Sequence, residues 1–168
     1  MELSEMTRKI SDIFEVTDVN DLGNKIFETL LEDDVERILA LKNTLPDLTT
    51  DWLQAIYQYW LADRDVKKQD YTPKSISHLV ARLATLSDGT IQDVCAGSGA
   101  LTIAVWSIDQ KRDFECIEFD ENVMPFLLLN LAIRNIKATV LQKDVLNDDV
   151  YAKYVVTPTE EIGRVRKE

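Results

Sequence analysis

Histidine occurs once in this 168-residue chain, cysteine twice, proline four times and glycine five times, and each scarcity closes off a class of chemistry. A lone His78 has no second histidine with which to build a metal site, and it is expected on the exposed side of a helix. Cys95 and Cys116 lack metal-ligand spacing and fall in predicted buried strands, so they read as reduced core thiols. No run of about 18 apolar residues is present to span a bilayer. The opening MELSEMTRKISD has no apolar core of the kind a signal peptide needs, and the expected address is cytoplasmic. Basic residues are also scarce, with 19 Lys and Arg against 30 Asp and Glu for a net charge of -11. The imbalance lies mainly in residues 1–70, with 16 acids against 8 bases; residues 71–168 carry 14 against 11. Such a surface repels phosphate backbones, so this chain alone is expected to bind nucleic acid weakly or not at all.

What is present divides into two patterns. Over residues 4–66 apolar residues recur at helical spacing: Met6, Ile10, Ile13 and Phe14, then Leu22, Ile26, Leu30 and Leu31, then Val35, Ile38, Leu39 and Leu41. Ser4 and Asp18 are expected caps. After LPDLTTD, an aromatic-rich stripe of Trp52, Leu53, Ile56, Tyr57 and Trp60 reads as core of a small helical bundle. The charged stretch at residues 62–70 reads as a connection. A further helix is expected to start at Thr72 and Pro73 and to bury Ile76, Leu79, Val80, Leu83 and Leu86. From residue 87 strands and helices alternate: TIQDVC, ALTIAVWSI, DFECIEF, ENVMPFLLLNLAIRN and ATVLQKD. Alternation of this kind predicts an α/β fold with a parallel sheet and right-handed crossovers. The expected division is a helical domain over 1–66, an α/β domain over 67–156 holding one more strand after residue 150, and a polar tail over 157–168.

The candidate site lies where the first of these strands meets its helix. Asp93 stands near the strand's end, followed by Ala96, Gly97, Ser98, Gly99 and Ala100. Glycines there permit backbone conformations and close ligand approach that a Cβ would block. The pattern is A-G-S-G-A, so a dinucleotide fingerprint with a third glycine is not met. Glu118 closes the second strand, 25 residues after Asp93, and Asp144 closes the third. In a doubly wound sheet the carboxyl ends of neighbouring strands line one crevice, and an acid at the second can take hydrogen bonds from ribose hydroxyls. The competing reading of each acid is a strand-end residue that caps the next helix.

In order, YTPKSI, DVCAGSGAL, ECIEFDENVMPFLLLNLAIRN and QKDVL resemble the cofactor-binding motifs of S-adenosylmethionine-dependent DNA adenine methyltransferases, most closely the modification subunits of type I restriction systems. The resemblance covers residues 70–146 and implies a Rossmann-like methyltransferase sheet. It implies that Tyr71, Thr72 and Pro73 border the methionine end of S-adenosylmethionine and that Asp93 to Ala100 wrap its amino-acid portion. It places Glu118 on the ribose hydroxyls, Phe119 on the adenine ring, and Asp144 with Val145 at the adenine edge. The helical segment before residue 66 is similar in position to the N-terminal domain that helps those subunits engage DNA or partner subunits.

Members of that family also carry an Asn-Pro-Pro-aromatic loop that holds a flipped adenine. The prolines here stand at 46, 73, 125 and 158, none adjacent. The sheet is therefore expected to be incomplete and to expose an edge prone to self-association, and the chain is expected to be the N-terminal part of a larger enzyme or a short relative, with no catalytic group of its own. The leading reading is the cofactor-binding portion of a site-specific DNA adenine methyltransferase of a restriction–modification system, with a specificity subunit or a second copy as partner. The alternatives are a non-catalytic assembly module on the same scaffold and, on the GxG turn and Glu118 alone, a nicotinamide-dependent oxidoreductase.

Overall fold

A computed structural model describes residues 2–61, 72–86 and 88–168; the connection at 62–70 and Tyr71 lie outside the described residues. The N-terminal periodicities become helices α1 (Leu3–Phe14), α2 (Leu22–Leu31) and α3 (Val35–Thr44). Met6, Ile10 and Phe14, spaced four apart, are fully buried, as are Leu22 and Ile26 on α2 and Leu41 on α3. Ser4 lies inside α1, so its expected capping role is not met; Asp18 caps a short 3₁₀ turn, accepting from the Asn20 amide at 2.9 Å. Helix α4 (Trp52–Ile56) begins at Asp51, whose carboxylate accepts from the Gln54 amide, and continues as a π-helical turn over Tyr57–Leu61.

Five strands follow: β1 (Ile91–Val94), β2 (Phe114–Glu118), β3 (Ala138–Asp144), β4 (Asp149–Thr157) and β5 (Arg164–Lys167), hydrogen-bonded in that order. Parallel pairing, as expected, joins β1 to β2 and β2 to β3. The expectation of a wholly parallel sheet fails at β4 and β5, which run antiparallel. The cause is local. Asp144 and Asp149 face each other across a tight turn, too short for the crossover that a parallel neighbour requires. The Asp144 carboxylate folds that turn by accepting from the Leu146 and Asn147 amides, and Asp148 adopts φ +62°. β5 lies within the segment read as a polar tail, tied down by the Gly163 amide, which donates to the Ala132 carbonyl at 2.8 Å. A Cβ on Gly163 would stand 2.7 Å from Val156 Cγ1, so glycine is what lets this approach occur.

Helix α6 (Ala100–Trp106) follows β1, and α7 (Met124–Ile133) follows β2. Every residue of α7 is buried, which fits a helix that is apolar on all sides. It packs against α2, α3 and α4 on one side and against β3, β4 and β5 on the other. The helical segment and the sheet thus share one hydrophobic core. Among the described residues no helix is long and apolar enough to cross a membrane.

Helix α5 (Lys74–Ala84) departs from its sequence pattern. Its N-cap is Pro73, one residue later than Thr72, and its buried residues are Ser77 and Ala81. The face expected to enter the core is exposed: Leu79 and Leu83 are each 60% accessible and Leu86 82%. Small residues on the opposite face let α5 lie closely along α6, its principal contact, and no described element covers the larger side chains. Among the described residues β1 has a partner on one side only, so the described sheet ends there in an open edge.

Candidate functional site

The turn after β1 is built from unusual backbone. Cys95, Gly97 and Gly99 all have positive φ (64°, 56° and 97°), so three of five consecutive residues sit in the left-handed region that favours glycine. Gly99 is further constrained, since a Cβ there would meet Leu127 Cδ1 at 3.0 Å. Cys95 is exposed, a correction to its expected place in a buried strand; Cys116 is buried on β2, and burial pushes its thiol up to about 12.

Glu118 connects this turn to the second strand. Its Oε2 accepts from the Gly97 amide at 2.7 Å, and its Oε1 accepts from the Phe119 and Asp120 amides, both at 2.8 Å. A carboxylate offers about four lone-pair positions. Three are engaged by backbone, and the remaining capacity is on Oε2. Beyond Glu118, a pocket of about 320 Å³ is lined by Phe119, Asp120, Glu121, Asn122, Gln142 and Tyr151. Phe119 and Tyr151 meet edge to face at 6.1 Å and are 59% and 57% exposed, leaving aromatic surface open to a ligand. A larger cleft of about 710 Å³ between α2 and the sheet shares Glu121, Asn122 and Gln142 with it.

The other expected site residues are placed differently. The Asp93 side chain is buried and turned into α6, where Oδ2 accepts from the Thr102 hydroxyl at 2.6 Å and its amide at 3.1 Å; burial raises its pKa against those bonds. Asp144 spends its carboxylate on the β3–β4 turn, and the Asn147 side chain chiefly lowers its pKa. Neither Asp144 nor Val145 lines the Phe119 pocket, where Gln142 and Tyr151 stand instead. Thr72 and Pro73 are exposed at the start of α5. Ala96 donates to the Ile117 carbonyl at 2.9 Å, fixing the turn to β2, and Ala100 opens α6.

Ser98 reveals residues that the sequence reading missed. Its hydroxyl, fully buried, donates to Asp51 Oδ2 at 2.7 Å. Asp51 Oδ1 and the Ser98 carbonyl both accept from Asn130 Nδ2, at 2.8 and 2.9 Å. Asn130 Oδ1 accepts from Arg134 Nη1 at 2.7 Å, and Arg134 also donates to the Leu48, Thr50 and Asn130 carbonyls. Burial raises the Asp51 pKa and lowers that of Arg134 to about 10. The sequence signal was an asparagine and an arginine four apart on an otherwise apolar helix.

A family model described as N-6 DNA methylase matches residues 48–162, about two thirds of the chain, beginning just before Asp51 and ending just before β5. The chain belongs to the N-6 DNA methylase family. No curated protein and no solved structure gave a significant match. The match takes in the Asp51 segment, the glycine turn, Glu118, α7 and the β3–β4 hairpin, and it supports a DNA methyltransferase-like function. Among the described residues no group of three or more His, Cys, Asp or Glu side chains is arranged to hold a metal ion.

Proposed function

We propose that this N-6 DNA methylase chain is the S-adenosylmethionine-binding portion of a site-specific DNA (adenine-N6)-methyltransferase of a restriction–modification system. The observation that carries the reading is the 2.7 Å bond from the Gly97 amide to Glu118. It joins two motifs 21 residues apart within a chain whose family acts on DNA adenine.

The residues present fit the cofactor in three respects. The positive-φ glycine turn allows close backbone approach. Glu118 retains acceptor capacity on Oε2 for a ribose hydroxyl, and release of the Gly97 amide would free a second position there. The Phe119–Tyr151 pocket has the volume and aromatic surface for a purine, with Gln142 and Asn122 among its lining residues. S-adenosylmethionine, when bound, supplies an electrophilic methyl group for the exocyclic amine of adenine. This chain's residues would bind and orient it: Glu118 by accepting from ribose, Phe119 by stacking, and residues 96–100 by enclosing its amino-acid end. Thr72 and Pro73, with Tyr71, would border its methionine end. Asp93 would act through Thr102, holding the start of α6, and Asp144 with Val145 would shape the loop beside the adenine edge.

No residue of the chain is assigned to catalysis, because the Asn-Pro-Pro-aromatic loop is not in the sequence. DNA is the substrate of the complete enzyme, engaged with the help of the helical segment over 1–66, a specificity subunit or a second copy, in the cytoplasm. The exposed face of α5 and the edge of β1, open among the described residues, favour a further role as an assembly surface.

Isothermal titration of the full chain tests the reading. Saturable binding of S-adenosylmethionine, none of NAD, and at least about tenfold weaker binding by Glu118→Ala are expected. A folded chain that does not bind S-adenosylmethionine overturns it, and methyl transfer to DNA by the chain alone overturns the assignment of no catalytic group.

A further inference from the structure

We infer that Asp51, from the helical segment and outside every cofactor motif, is a positioning residue that holds the glycine turn in its ligand-ready shape through the Ser98 hydroxyl. The inference rests on the reading of that turn as the S-adenosylmethionine site. Ser98 lies between the two positive-φ glycines, so whatever fixes its side chain fixes the backbone on both sides. Its hydroxyl faces away from solvent and meets the Asp51 carboxylate at 2.7 Å, while its carbonyl receives Asn130 Nδ2 at 2.9 Å. The residue is thus clamped at side chain and backbone, and both clamps converge on Asp51, which Asn130 also bonds at 2.8 Å.

Asp51 is itself held rigidly. Its Oδ1 caps α4 through the Gln54 amide at 2.8 Å, and Arg134 fixes the approaching chain through the Leu48 and Thr50 carbonyls at 2.7 and 2.9 Å. A displacement of residues 47–54 therefore moves the acceptor on which Ser98 depends. Ser98 is fully buried, and hydrogen bonds shielded from water are the stronger kind, so the anchor holds the turn in which Cys95, Gly97 and Gly99 alternate into the left-handed region.

The test compares the full chain with Ser98→Ala, Asp51→Asn and Asp51→Ala. Each variant is titrated with S-adenosylmethionine and observed at the Gly97 and Gly99 amide resonances by NMR. Ser98→Ala, the mildest change, is expected to weaken binding about tenfold and to shift both glycine resonances without ligand. Asp51→Asn keeps an acceptor for Ser98 and should lie between wild type and Asp51→Ala, a graded rescue that general destabilisation would not produce. Leu30→Ala, a core change on α2 remote from the turn, should lower stability yet leave affinity and both resonances unchanged. If the wild type binds and folded Ser98→Ala and Asp51→Asn bind equally well with unmoved resonances, the inference is overturned. If the wild type does not bind, the functional reading fails by itself, and the ligand-free resonances still decide whether Asp51 anchors the turn.

Discussion

Replacing Arg134 with methionine tests whether the buried polar hub, as well as the apolar core, holds the helical segment to the sheet. The side chain is 3% exposed and makes four hydrogen bonds, to the carbonyls of Leu48, Thr50 and Asn130 and to Asn130 Oδ1. Methionine fills a similar volume but donates nothing. Four acceptors then lose a partner, and the Asp51 carboxylate loses the buried positive charge that most nearly compensates it. An orphaned buried acceptor costs about 1–3 kcal/mol and removal of one member of a buried charge pair about 3–5 kcal/mol; the two overlap, so the expected loss is about 3–5 kcal/mol. Against a domain stability of roughly 5–15 kcal/mol this is a large fraction. With a urea slope near 2 kcal/mol/M the unfolding midpoint should fall by about 2 M. Lys137→Met provides the contrast. Its bond to Asp113 is 2.5 Å long but exposed at both ends, and its removal should cost less than about 1 kcal/mol. Adding Asp51→Asn to Arg134→Met should recover part of the loss by removing the uncompensated charge, which a double-mutant cycle measures. Equal midpoints for Arg134→Met and Lys137→Met would refute the argument.

Burial raises the Asp93 pKa above 3.8, so the folded state holds its proton more tightly, and stability from this group falls as pH rises from about 3.8 through the folded value. The urea midpoint of Asp93→Asn relative to wild type should therefore be higher at pH 7 than at pH 4, and a difference independent of pH would contradict this. Leu83→Lys, on the exposed face of α5, should change stability by less than about 0.5 kcal/mol, whereas Phe126→Ala, at a fully buried position, should cost about 3–5 kcal/mol; thermal melts of both decide whether α5 is uncovered in solution. Gly99→Ala should destabilise by about 1–3 kcal/mol, because φ is +97° and Leu127 Cδ1 stands 3.0 Å from the new Cβ; an unchanged midpoint in urea would count against the strained turn. A thiol reagent at pH 8 should modify one cysteine in the folded chain, the exposed Cys95, and both in urea; rapid modification of Cys116 would contradict its burial and raised pKa.

The sequence patterns located helices and strands where apolar periodicity decides them, and failed at one tight turn and where a distant partner decides. α1 and α2 follow from apolar residues four apart, and α7 from an apolar run with Pro125 in its first turn. Parallel pairing of β1 with β2 and of β2 with β3 follows from helices that supply the crossovers. The antiparallel return of β4 turned on Asp144 and the tight turn after it, a feature that the same residue's candidacy as a ligand obscured. α5 shows the opposite failure. Its periodicity is real, but periodicity says only that one face is apolar, not that this chain supplies a cover for it. At the candidate site, the juxtaposition of Gly97 and Glu118 was legible because glycine and a strand-end acid are local signals, whereas Asp51, Asn130 and Arg134 come together only through tertiary packing.

Asn130 explains how a carboxylate and a guanidinium can both be buried here without touching. The apolar surroundings of α7 would penalise either ion alone. The Asn130 amide solves this by polarity: Nδ2 donates to Asp51 and to the Ser98 carbonyl, while Oδ1 accepts from Arg134, so one neutral group satisfies both charges in the correct sense. That division of roles is not available to aspartate, which has no donor for Asp51, nor to leucine, which has neither function. Asn130→Asp would set two carboxylates against each other and Asn130→Leu would strand Asp51, Ser98 and Arg134 together. The asparagine is therefore the joint at which the fold of the helical segment and the shape of the glycine turn become one structural requirement.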